Sequence, residues 1–339
     1  MRKDFISTVF FSILILIFMI VAPTLIVKSM PVKESSEEIS APDINENDNL
    51  ITIDGNEKIK VYITKEDRIE EVSIEDYVKS VVSGEMPASF SDEALKAQSV
   101  AARTYIMSKR SRPCDIAKGA DVCDTTHCQV YISKDIRLEK WEENATENWD
   151  KISKAVDATK GKVLTYDNQL VLYPQFFSTS SGMTENAVDV FSNDVPYLVS
   201  TESSGEEIAP KYEAETSFNI NDFVNKVNEQ YPSTELTAES LQGNIEIVSR
   251  SDAGGVKEIR LGKAKIRGLD FRLAFGLNST NFEYTISGEQ IIFKCKGYGH
   301  GVGMSQWGAN VMAKNGSNYE EILKHYYKGI ELKEIKFKE

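Results

Sequence analysis

From Phe5 to Val27 the chain carries no charged residue, and Phe, Ile, Leu and Val dominate. Such a run spans a hydrocarbon core of roughly 30 Å. Arg2 and Lys3 precede it and Lys28 follows. Residues 1–28 are therefore expected to form a single-pass membrane anchor with a cytoplasmic N-terminus, the rest of the chain being extracytoplasmic. A cleaved signal peptide is the competing reading, but no small-x-small site stands where the apolar run ends. The acidic stretch ESSEEISAPDINEND then offers almost nothing to bury, so residues 29–49 read as a disordered tether.

Ordered patterning begins at Ile51. The first clear strand is IKVYITK. Ser73 and Asp76 form a capping pattern, and Ile74, Tyr77, Val78, Val81 and Val82 share one helical face. Gly84 suits a left-handed helix stop, and Pro87 forbids continuation. Asp92 and Glu93 open a second helix through EALKAQSVAARTYIMSKR. Beyond Lys160 the pattern turns to short strands: KVLTYD, LVLYPQFFS and PYLVS. A helix is expected over Ser217 to Pro232, followed by strands in NIEIVSRS, VKEIRLG and QIIFKCKG. Helix returns after GMSQWGA. A final helix is capped by Ser317 and Glu320, buries Ile322, Leu323, Tyr326 and Tyr327, and stops at Gly329. Helices and strands do not alternate regularly, which predicts an α+β fold of mixed helices and antiparallel strands. Residues 50–339 form one region, with an inserted subdomain expected over about 205–262.

Composition narrows the partners. The 339 residues carry a net charge of −13 with 41% hydrophobic and 27% charged residues, which argues against a nucleic-acid partner. No phosphate loop or dinucleotide fingerprint is present, so no organic cofactor is expected.

Glu85 falls where the first helix gives way to the second, against Met86, Pro87 and Phe90. The carbonyl end of a helix disfavours a second negative charge, and apolar neighbours add desolvation. Both raise a carboxyl pKa, as a general acid near neutral pH requires. On local sequence alone a solvated turn carboxylate is the readier reading.

The chain contains four cysteines. Cys114, Cys123 and Cys128 lie with His127 in CDIAKGADVCDTTHC. A Cys3His set suits a structural Zn2+ that would brace a loop, since four protein ligands leave no open position. A Cys123–Cys128 or Cys114–Cys123 disulfide is the alternative for an exported protein. The glycine-dense GYGHGVGMSQWGAN brings His300, Gln306 and Trp307 together. It reads either as a cleft wall, Gln306 bonding sugar and Trp307 stacking on it, or as a tight turn with Trp307 in the core.

The motifs SGEMPASFSDEALKAQSVAARTY, GADVCDTTHCQVY, STSSGMTENAVDVF with VPYLVS, and GYGHGVGMSQWGA occur in that order. Together they resemble the stage II sporulation protein D family, also called the SpoIID/LytB domain family, over about Ile51 to Gly329. That resemblance implies a lytic transglycosylase cutting peptidoglycan glycan strands stripped of stem peptides during engulfment of the forespore. Its partners would be a sporulation amidase and membrane proteins of the engulfment machinery. It also implies that Glu85 is the catalytic acid/base, with Arg103 and Tyr197 at the substrate; the residues themselves leave open a structural ion pair for Arg103 and a core position for Tyr197. A zinc in the cysteine region of some members favours the metal reading there. Some members carry a lysine two positions beyond the tyrosine, but this chain has Val199. Ser181, Gln306 and His300 are further candidates for substrate contact. Were the reaction hydrolytic, Glu185 or Asp189 would be the best second carboxylate. A non-catalytic scaffold that recruits an amidase, and a metallohydrolase using the Cys/His cluster, are the competing functions.

Overall fold

Alternating strand residues and a cap set the first elements. In the computed structural model, which describes residues 49–338, strands β1 (Leu50–Ile53), β2 (Lys58–Ile63) and β3 (Arg68–Ser73) lead directly into helix α1 (Ile74–Glu85). Ser73 caps α1, its Oγ accepting from the Asp76 N–H at 3.1 Å. The expected anchor (1–28) and, apart from Asn49, the acidic tether (29–49) lie outside the described residues. Among the described residues no helix is long and apolar enough to cross a membrane.

Helix α2 (Asp92–Arg110) is the centre of the larger core. Its Leu95, Ala97, Val100, Ala101, Ala102 and Ile106 are all fully buried, leaving little solvent face. It packs on α1 and on four later elements: α4 (Ala145–Asp157), strand β5 (Lys162–Tyr166), α8 (Gln306–Lys314) and α9 (Tyr319–Tyr326). Between α2 and α4 come the two-residue strand β4 (Val122–Cys123) and α3 (Lys134–Trp141). After β5 follow β6 (Gln169–Leu170), β7 (Phe176–Phe177) and the short α5 (Ala187–Phe191).

A second core, separate from the first, contains Phe223, Phe271, Phe275, Phe282 and Phe293. It is built from β8 (Glu213–Asn219), α6 (Ile220–Gln230), β9 (Ile245–Arg250), β10 (Val256–Leu261), β11 (Ala264–Arg267), α7 (Gly268–Phe275), β12 (Phe282–Ser287) and β13 (Gln290–Lys296). The sheets β12-β13-β8 and β11-β10-β9 are both antiparallel. The chain returns to the first core through β14 (Met304–Ser305) and closes with β15 (Glu331–Phe337).

Several expectations are corrected. The sheets are not wholly antiparallel: β1 pairs parallel with β15, β2 with β4, and β14 with β7. Ser217 lies in β8, and the helix begins only at Ile220, because Asn219 caps it through the Asn221 N–H at 2.9 Å. LVLYPQFFS is interrupted, contributing only β6 and β7, and PYLVS forms no strand. Strand β12 and helices α3, α4 and α7 lie in stretches assigned no element from patterning. The cap of α9 is Asn318 with Glu321, one residue beyond the expected pair, while its four predicted apolar residues are buried as expected.

Candidate active site

Gly84 does not stop α1. It is helical, and the helix runs through Glu85. The reason for glycine is packing: a Cβ there would stand 2.6 Å from the Val130 carbonyl oxygen. This close approach lets the chain after the cysteine cluster lie against the end of α1. The Val130 N–H donates to Glu85 Oε1 at 2.9 Å. From the other side the Gln306 amide donates to Oε2 at 3.3 Å. Glu85 is thus a half-buried carboxylate at a helix C-terminus, beside buried Met86 and Phe90. Burial raises its pKa above the ordinary 4.5, against the opposing pull of the Val130 and Gln306 donors.

The partners of Glu85 are themselves held. Trp307 stands edge-on to Phe90 with ring centroids 4.8 Å apart, and the Ser91 N–H donates to Asn310 Oδ1 at 2.9 Å, joining α8 to the start of α2. Trp307 therefore packs on the core as well as bordering the site. On the Val130 side, the Tyr77 hydroxyl donates to Gln129 Oε1 at 3.0 Å, and Tyr77 stacks on Tyr131.

Two residues before Val130 ends the cysteine–histidine cluster. The ligand atoms of Cys114, Cys123, His127 and Cys128 all lie within 4.8 Å of one another. His127 Nδ1 stands 3.4, 3.9 and 3.8 Å from the sulfurs of Cys114, Cys123 and Cys128. A tetrahedron with Zn–S of about 2.3 Å and Zn–N of about 2.0–2.1 Å has N···S edges of about 3.6 Å, so the donor set fits a four-coordinate metal such as zinc. All four cysteines are free, so neither proposed disulfide forms. The neighbouring His127 and Cys128 both reach the cluster, the bend being held by the Cys128 N–H bonding the Thr125 carbonyl at 3.0 Å. Cys295 is buried in β13 and takes no part.

Arg103 joins three elements of the core. It is 0% exposed. Its guanidinium grips Glu75 bidentately at 2.9 and 2.6 Å and donates to the Lys162 carbonyl at 3.0 Å, locking α1 to α2 and β5. Tyr197 is also buried, packing on Tyr166, its hydroxyl accepting from the Tyr173 N–H at 3.1 Å. Both side chains are held by contacts within the first core.

Ser181 and His300 line a small cleft with Glu185, Thr280 and Asn281. Asn281 donates to Ser181 Oγ at 2.9 Å. His300 lies between the rings of Phe177 and Phe191, and burial pushes its pKa down to about 4. Its Nδ1 accepts from the Val302 N–H at 3.2 Å, which suits a neutral ring. Glu185 is buried with its Oε1 held by the Gly255 N–H at 3.1 Å, while Asp189 pairs with Lys257 at 2.5 Å. Neither carboxylate bonds to Glu85 or to Gln306. The Val130 amide was invisible to motif reading, because any residue supplies an N–H. Only its distance of two positions from Cys128 hinted at it.

A desolvated carboxyl with two flanking donors therefore lies near a cluster that could hold a metal, in a mixed α+β protein. Residues 62–166 match the family described as Stage II sporulation protein. The chain belongs to the stage II sporulation protein D (SpoIID) family. It is 40% identical to stage II sporulation protein D of Bacillus amyloliquefaciens, over 81% of this chain and 78% of that protein. Against the Bacillus subtilis protein of the same name the identity is 39%, over 81% and 79%. A protein called amidase enhancer, also from Bacillus subtilis, is 29% identical over 75% of this chain and 40% of its own length.

Proposed function

We propose that this protein is a peptidoglycan lytic transglycosylase, anchored in the membrane by residues 1–28, that cleaves peptide-stripped glycan strands during sporulation. The observation that carries the reading is Glu85: a desolvated carboxyl with a raised pKa and, among the described residues, no second carboxylate bonded to it or its partners. A glycosidase of the usual kind needs two carboxylates. A lytic transglycosylase needs one. Protonated Glu85 gives its proton to the glycosidic oxygen as the C1–O4 bond breaks. The muramic acid C6 hydroxyl oxygen bonds to C1, and its proton passes to the Glu85 carboxylate. The acid is regenerated, no water is consumed, and the product carries a 1,6-anhydro ring. Val130 N–H and the Gln306 amide hold the carboxyl in place while it cycles.

Cys114, Cys123, His127 and Cys128 would hold a zinc ion that closes the loop ahead of Val130; as a four-ligand site it supplies structure to this region. The glycan strands, a sporulation amidase and other engulfment proteins are the proposed partners. The name of the amidase enhancer relative favours a second reading, a glycan-binding scaffold that recruits an amidase. One experiment separates them. The full chain and Glu85→Gln are incubated with peptide-stripped glycan strands, and products are identified by mass spectrometry. Anhydro-muramic ends from the wild type alone support the transglycosylase. Products heavier by one water make it a hydrolase. Binding without cleavage by either protein supports the scaffold.

A further inference from the structure

Gln306, the donor on Glu85 Oε2, is the first residue of α8, so its place depends on what fixes the start of that helix. Ser305 is the cap, its Oγ accepting from the Gly308 N–H at 3.3 Å. The same hydroxyl donates to Glu206 Oε2 at 2.6 Å. Glu206 is 1% exposed and lies far from Ser305 in sequence, in a short turn at Glu206–Ile208. Three more donors converge on its carboxylate: the Ser180 N–H at 2.8 Å, Ser180 Oγ at 2.7 Å and Ser203 Oγ at 2.5 Å. Ser203 in turn is hydrogen-bonded to the Tyr326 hydroxyl of α9 at 2.6 Å. The space is made by Gly308, where a Cβ would sit 2.1 Å from the Tyr326 hydroxyl and 2.7 Å from Glu206 Oε1. Among the described residues no cation is bonded to Glu206, and hydroxyl and amide donors satisfy it.

A buried carboxylate costs more than a neutral side chain of the same shape unless something requires its acceptor capacity. Here the requirement is that Ser305 donate in one direction and accept the helix amide in the other. A group that can only accept forces that orientation. The geometry points to Glu206 as a positioning residue for the acid: through Ser305 it sets the register of α8 and so holds the Gln306 amide on Glu85. The inference rests on the reading of Glu85 as the acid, but its test does not depend on cleavage.

The test titrates the Glu85 carboxyl by 13C NMR in the full chain, as wild type, Glu206→Gln, Gln306→Ala and the double variant. Tyr77, on the same helix as Glu85, stays neutral through the range because burial holds its pKa high. Because the Gln306 amide favours the ionised form, its removal is expected to raise the Glu85 pKa. Glu206→Gln is expected to raise it in the same direction, and the double variant to go no further than Gln306→Ala alone. On glycan strands, kcat should fall by about tenfold to a hundredfold with KM within about twofold. A merely structural Glu206 would lower the melting temperature and leave the Glu85 titration unmoved, which would overturn the proposal; so would shifts that add in the double variant. Ser305→Ala is run alongside, since it removes only the hydroxyl through which Glu206 acts. If Glu206→Gln fails to fold, a raised Glu85 pKa in Ser305→Ala supports the link and an unchanged one overturns it. If the wild type cuts no glycan, the catalytic reading fails while the titration still decides the positioning.

Discussion

At the scale of a residue, Glu85 is poised by opposing effects. Burial raises its pKa above 4.5, and two donors restrain the rise. A carboxyl that is more acidic unfolded than folded binds its proton more tightly in the native state. Stability from this group is therefore greatest below pH of about 4 and falls as pH rises through the folded pKa. Glu85→Gln removes that penalty. It should abolish cleavage by about 10²–10⁴-fold while melting at or above the wild-type temperature at pH 7, the difference vanishing below pH of about 4. Thermal unfolding across pH checks this; a Glu85→Gln protein less stable at pH 7 would show that the carboxylate is structural. With the wild type, the loss of kcat/KM on the alkaline side should set in above pH 4.5, since the acid must start protonated.

Elements bring a different logic, because what they present is set by where they end. Gly84 illustrates it. In an isolated helix, alanine would be better than glycine by about 1 kcal/mol. Here the added Cβ would strike the Val130 carbonyl oxygen, so Gly84→Ala is expected to lower the melting temperature and to cost activity by displacing the Val130 N–H from Glu85. A variant as stable and active as the wild type would refute the packing argument. The loop that ends at Val130 carries the Cys3His cluster. Elemental analysis should find one zinc per chain. Chelation should lower the melting temperature and reduce kcat together, both restored by zinc, as expected of a metal that braces the loop. Loss of activity with unchanged stability would instead indicate an ion that takes part in the reaction.

At the scale of the whole molecule, the described residues thread two large hydrophobic cores, with a smaller cluster around Cys114 and Cys123. The first gathers residues from Ile51 to Leu198 and again from Val302 to Ile330, and the second fills the interval between them. Closure depends on the far ends of the described chain: β15 lies between β1 and β5, with Ile51 paired to Ile335 and Leu164 to Leu332. Deleting residues from Glu331 onward leaves β1 without its neighbour and exposes the edge of β5. The truncated protein should melt well below the full chain, by circular dichroism, although Glu331 is far in sequence from Glu85. An unchanged melting temperature would show that the strand is an ornament of the first core rather than part of it.

What the sequence determined by itself is what depends on near neighbours. The face of α1, the apolar residues of α9, the strands β2, β5, β9, β10 and β13, the mixed α+β class and Glu85 at the end of a helix all follow from periodicity, caps and breakers, which act within a few residues. The cysteine–histidine cluster was legible for the same reason, its members lying within fifteen positions of one another in CDIAKGADVCDTTHC. Gln306 was legible as a candidate, but not as a partner of Glu85. Tertiary structure alone decided the rest. It chose the partners of Arg103, because only packing shows that Glu75 and the Lys162 carbonyl use the guanidinium, and it set Tyr197 in the core. It brought Ser181 and His300 together in a small cleft with Glu185. It also brought Val130 and Gln306 onto one carboxylate from opposite sides, across 45 and 221 positions of chain. Contacts of that separation carry no local pattern, since an amide from any residue can fill the place and only the packed cores fix which one does.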